Sequence, residues 1–203
     1  EANALNDPFG RSYQLYVLLE FENSSEVELE LATEVFERCV AHGYAKDGVI
    51  SQSQEQARKL WKFREGITES IAKHTPFKSD VSVRESKIPH FLRRLEEILI
   101  ESVPQLEAVL FGHLGDGNIH INLLKPFGMP MQEFREECAK VSNLIFDLVQ
   151  KLDGSISAEH GIGLVKKPYL KYSRDEADLN YMKGVKRIFD PKNIMNPGKL
   201  LDA

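Results

Sequence analysis

The sequence predicts an α+β fold, a mainly antiparallel sheet with helices packed on one face, and three observations carry that prediction. Helical apolar periodicities interleave with short apolar runs of strand length. A single strong hairpin signal, Asp116-Gly117 between apolar residues, sits mid-chain, and there is no repeat or low-complexity tract. The chain has 203 residues, 42% hydrophobic and 28% charged, enough for one sizeable core.

Taken in order, Tyr13 to Phe21 is an apolar run suited to a buried strand. Ser24 or Ser25 can then cap a helix to about Ala41, which His42-Gly43 ends. A short strand is expected near Val49. Ser53 opens a second helix that runs towards His74, with Pro76 stopping it. Phe77 to Val83 alternates as a strand, and Pro89 begins a helix through about Glu101. Val109 to His113 and Ile119 to Leu124 form the hairpin. A long helix from about Pro130 to Leu152, a turn at Glu159-His160 and a last helix from about Asp175 to Phe189 follow. Asp190-Pro191 and Asn196-Pro197-Gly198 read as closing turns.

Composition excludes several classes. A net charge of −5 leaves no basic footprint, so nucleic acid is not an expected partner. Cys39 and Cys138 are isolated in helical patterns, where small core residues are expected, and suggest neither a disulfide framework nor a Cys-based zinc site. That usage fits a reducing compartment, the bacterial cytoplasm or the mitochondrial matrix of a eukaryote. No apolar run reaches the ~20 residues that span a bilayer.

The chemistry concentrates in two segments. In Phe111-Gly-His-Leu-Gly-Asp-Gly-Asn-Ile-His-Ile-Asn122, a two-residue turn at Asp116-Gly117 would pair His113 directly with His120 and put Asn122 on the face of His120. A hydrogen-bonded polar cluster explains such a pair as well as a metal does. Ser157-Ala-Glu-His-Gly-Ile-Gly163 changes the balance, because it sets a carboxylate beside an imidazole in a glycine-rich turn. Two imidazoles and one carboxylate form the ligand set of an open catalytic divalent site, so His113, His120 and Glu159 are the expected ligands. Zinc fits them, and manganese, cobalt or iron would accept the same set. Arg64 and Thr68, four residues apart, are expected to share a helix face on which a guanidinium and a hydroxyl can converge on an anion. A solvated helix arginine is the alternative. His42 reads as a helix C-terminal residue, His74 and His90 as surface or capping residues, and Asp116 as a turn former.

The runs GHLGDGNIH, SAEHGIG and DPKNIMNPGK closely resemble the C-terminal half of the FAD-linked D-2-hydroxyacid dehydrogenases, a group that contains D-2-hydroxyglutarate and D-lactate dehydrogenases. The resemblance implies a ferredoxin-like cap over residues 1–189 and a segment, 190–203, returning towards an FAD domain. No phosphate-cradling glycine loop follows an early strand and the chain starts at Glu1, so a piece lacking that domain is expected, inactive alone. In the same terms, Arg64, Thr68 and Lys78 resemble substrate-binding residues, Asn122 resembles the D-2-hydroxyglutarate branch, and Asn196 and Lys199 resemble the flavin-side segment. The expected reaction oxidises a D-2-hydroxy acid, best D-2-hydroxyglutarate, to the 2-oxo acid with FAD as hydride acceptor. His160 is the expected base and also contacts substrate; the alternative makes His160 the third ligand and Glu159 a support. D-Lactate, glycolate or a non-catalytic metal and ligand-binding module are the competing readings. A metal-dependent hydrolase lacks its His-Glu-x-x-His motif here. An acceptor protein or quinone is the implied electron partner, and a homodimer is compatible.

Overall fold

A computed structural model describes residues 7–22 and 25–202, which divide into two compact units between Ser70 and Ile71. In the first unit, α1 (Glu26–Ala41) opens with a capping box, the Ser25 hydroxyl accepting from the Glu28 amide while the Glu28 carboxylate accepts from the Ser25 amide. Ser24, the other expected cap, lies outside the described residues. His42 caps the C-terminus as expected, its Nδ1 2.7 Å from Arg38 O. Ser53 caps α2 (Gln54–Glu65).

Three expectations in this unit need correction. Tyr13 to Phe21 is not a strand: the run is irregular, with a bend at Gln14 and no ladder, and Leu15 is 72% and Leu19 83% exposed. An apolar run makes a strand only when a neighbour supplies the ladder hydrogen bonds, and none does among the described residues. The same holds near Val49, which is irregular. The helix opened by Ser53 does not run unbroken, because Gly66 ends α2 and α3 (Ile67–Ala72) restarts after it. Arg64 and Thr68 therefore flank Gly66 on successive helices, although Gly66 itself stays near helical geometry (φ −72°, ψ −10°).

The second unit holds the sheet. β1 (Phe77–Ser82), β2 (Glu107–His113) and β3 (Asn118–Leu124) form an antiparallel sheet in the order β1-β3-β2. β3 is buried along its whole length because it is central. Alternation sends Val81, Ile119, Ile121 and Leu123 into the core. Against it pack α4 (Ile88–Ser102), through Ile88, Phe91 and Leu95, and α5 (Met131–Lys151), through Phe134, Cys138, Val141 and Ile145. Those spacings of three, four and seven are one helix face, and each fully buried large apolar side chain contributes about 1.5–3 kcal/mol. Cys138 lies fully inside this core, where burial pushes its thiol up to about 12. Both cysteines are free thiols.

The opposite face is polar. Its cross-strand rows are Lys78 with Asn122 and Val109, Asp80 with His120 and Phe111, and Ser82 with Asn118 and His113. After α5, Ser155 bonds reciprocally to Ser82 (2.8 and 2.9 Å), which returns the chain alongside β1 and delivers residues 157–163 to this face. α6 (Glu176–Phe189) follows, and no described helix is long and apolar enough to cross a membrane.

Candidate metal and substrate site

The hairpin register differs from the expected one. Leu114–Asp116 folds as a short 3-10 turn closed by Gly117 (φ 66°, ψ 12°), whose amide bonds to Leu114 O. The loop thus holds four residues, and only Gly117 needs positive φ. His113 faces Asn118, not His120, while Phe111 faces His120. The shift is two residues, an even number, so both imidazoles keep the same face as diagonal neighbours. Their ring centroids are 6.1 Å apart, edge to face.

Glu159 reaches this pair from the loop. His113 Nε2 lies 3.6 Å from Glu159 Oε1, and His120 Nε2 lies 3.9 Å from Glu159 Oε2. One ligand atom from each of the three lies within 4.8 Å of the others. Two ligands about 2.0–2.1 Å from a tetrahedral zinc stand about 3.4 Å apart, so the donor types and their spacing fit a divalent ion. Asn118, 1% exposed, orients the carboxylate by donating from Nδ2 to Glu159 Oε1 at 2.6 Å.

Asp80 is the residue that sequence reasoning passed over. It is fully buried, and its Oδ2 accepts from the amides of Ala158 (3.1 Å), Glu159 (2.9 Å) and His160 (2.9 Å). Three successive N–H groups around one oxygen form an anion nest. Burial alone would raise the Asp80 carboxyl, but the His160 and Glu159 amides and the Lys166 charge hold it below the usual carboxylate range. Lys166 Nζ donates to Asp80 O and Ile156 O, both at 2.7 Å, and burial pulls its own ammonium down. The only sequence sign was an acid inside a strand, where Asp is disfavoured.

His160 does not join the three-residue focus. It stacks on His120 (centroids 5.6 Å apart) with Nδ1 4.0 Å from Asp80 Oδ2, in a second grouping of Asp80, His120 and His160. Lys78 is exposed and Asn122 is 3% exposed, adjacent in register, with Asn122 Nδ2 donating to Val109 O. Arg64 and Thr68 belong to the first unit. In the terminal turn Lys199 Nζ donates to Asn196 Oδ1 at 3.1 Å, and Leu200 N–H binds Gly163 O, which ties this segment to the Glu159 loop.

A helix-backed antiparallel sheet whose second face gathers imidazoles, carboxylates and amides defines an α+β cap domain. Residues 2–200 match the family described as FAD linked oxidases, C-terminal domain, and the chain belongs to that family. It is 50% identical over 196 residues to a D-2-hydroxyglutarate dehydrogenase of Stutzerimonas stutzeri, covering 97% of this chain and 42% of that protein. A D-2-hydroxyglutarate dehydrogenase of Xanthomonas citri pv. viticola is 46% identical, over 100% of this chain and 43% of that protein. A D-lactate dehydrogenase of Anaerostipes hadrus is 32% identical, over 94% of this chain and 40% of that protein. The chain thus spans about two fifths of the length of these relatives.

Proposed function

We propose that this chain is the substrate and metal part of an FAD-dependent dehydrogenase that oxidises a D-2-hydroxy acid, best D-2-hydroxyglutarate, to the 2-oxo acid. The observation that carries the reading is one sheet face with two stations. His113, His120 and Glu159 form the first, and the Lys78–Asn122 pair stands one alternation along the strands, about 7 Å away. The names of the relatives support the same acid class.

In this reading His113, His120 and Glu159 hold a divalent ion, zinc or manganese, which when bound polarises the substrate hydroxyl. His160 takes the hydroxyl proton: its Nδ1 is turned to Asp80, which leaves Nε2 as the accepting atom. FAD, held by the part of the protein outside this chain, supplies the hydride acceptor, with Asn196 and Lys199 assigned to its side on resemblance alone. Lys78 and Asn122 receive the distal carboxylate, a cation and an amide suiting it. Arg64 and Thr68, in the first unit, carry a bidentate fork and a hydroxyl, the chemistry that suits a carboxylate. An acceptor protein or quinone is the electron partner in this reading, and the isolated chain is expected to show no turnover.

Dye reduction by the full-length protein tests this with D-2-hydroxyglutarate, D-malate, D-lactate and glycolate, each with and without chelator. Turnover should prefer the dicarboxylates and stop on chelation. Lys78→Ala should raise KM for the dicarboxylates by roughly tenfold, the loss of one charged hydrogen bond, and leave D-lactate unchanged. An equal effect on D-lactate would remove Lys78 from the distal station, and chelator-insensitive turnover would remove the metal.

A further inference from the structure

Asp80 engages the site through both carboxylate oxygens at once. Oδ2 gathers the three amides of residues 158–160 and so fixes the backbone from which Glu159 and His160 project. Oδ1 is buried with no hydrogen-bond partner, and it faces His120 Nδ1 at 3.5 Å. On the other side of the same ring, Nε2 looks towards Glu159. Which imidazole nitrogen carries the proton is set by the partner of the other. A carboxylate oxygen accepts only, so it favours the proton on Nδ1 and leaves the Nε2 lone pair aimed at the focus shared with His113 and Glu159.

We propose that Asp80 is the positioning residue of the site, holding the Glu159-His160 backbone with one oxygen and fixing the metal-competent tautomer of His120 with the other. The tautomer half rests on the metal reading above; the anchoring half does not. Lys166 reinforces the anchor, because its bonds to Asp80 O and Ile156 O join β1 to the start of the loop. Outer partners of metal-bound imidazoles typically change metal affinity by about 10–100-fold when removed.

Two variants of the full-length protein separate the halves. Asp80→Asn keeps one oxygen for the three amides and turns an amide NH2 to His120 Nδ1, which forces the ring proton onto Nε2. Asp80→Ala removes both functions. Zinc affinity is read by competition with a chromophoric chelator, the Co(II) absorption spectrum reports coordination, and hydrogen exchange of peptides covering 156–166 reports the anchor.

Asp80→Asn should keep wild-type protection in that segment, lose zinc affinity by about 10–100-fold and change the Co(II) spectrum. Asp80→Ala should lose protection as well. Wild-type zinc affinity in Asp80→Asn would overturn the tautomer assignment, as would loss of protection and affinity together in that variant. Full protection in Asp80→Ala would overturn the anchor. A wild-type protein that binds no zinc would instead overturn the metal reading, and the tautomer half with it.

Discussion

Asn118 Nδ2 donates to Glu159 Oε1 at 2.6 Å, a bond between a strand end and a loop 41 residues later. Asn118 is buried and Glu159 is exposed, so the asparagine is the fixed partner and the glutamate the one being placed. Its register partner is His113, which puts the carboxylate over the imidazole pair.

Asn118→Ala should therefore leave the hairpin paired while freeing Glu159 to sample other rotamers. The expected result is a fall in metal affinity of about 10–100-fold with unchanged secondary structure. Chelator competition and circular dichroism measure the two quantities. An unchanged affinity would mean that Glu159 needs no fixing.

What sequence reveals about this site depends on the range of the determining contacts. Ser25 and Ser53 are readable as caps because the amides they bind lie three residues away. The shared face of His113 and His120 is readable even from an incorrect register, since a slip of two preserves parity. Asp80 is not, because its amide partners lie 78 to 80 residues downstream and nothing beside it marks it as buried. The run at Tyr13 to Phe21 fails for the converse reason: its strand signal is local, but strand formation is not.

Asp190 shows how a residue read only as a turn former organises the chain end. Its Oδ2 accepts from Lys186 Nζ (2.6 Å) and the Met195 amide (3.0 Å), and its Oδ1 accepts from the Ile194 amide (2.9 Å). The Lys186 bond, with those two amides, holds the carboxyl below its ordinary value against the effect of burial. A carboxyl lowered by folding adds stability above its unfolded pKa, about 3.9, and that stability is lost as pH falls through the lower folded value. Asp190→Asn should thus lower Tm by a constant amount at neutral pH, with the difference shrinking below about pH 4. Paired melts across about pH 3 to 7 test it; a difference that grows on acidification would contradict the sign.

Gly117 offers the sharpest test of the hairpin, because the four-residue turn it closes sets His113 opposite Asn118 and makes His113 and His120 diagonal neighbours. Gly117 sits at φ 66°, and an added Cβ would stand 1.8 Å from Val83 O. That carbonyl belongs to the residue whose own amide bonds to Gly117 O at 3.0 Å, so the clash falls on a backbone-to-backbone approach that no rotamer change relieves. Gly115, two residues earlier in the same loop, has nothing within 4 Å of the added Cβ and no positive φ. Gly117→Ala should therefore cost more than the ~1 kcal/mol of a left-handed alanine alone, while Gly115→Ala stays within about 0.5 kcal/mol of wild type. Because Val83 follows β1 directly, the displaced Gly117 should also loosen the hairpin from β1 and weaken metal binding, an effect Gly115→Ala should lack. Urea melts and chelator competition on the two variants measure both, and equal stabilities would show that the loop does not close as a four-residue turn on Gly117.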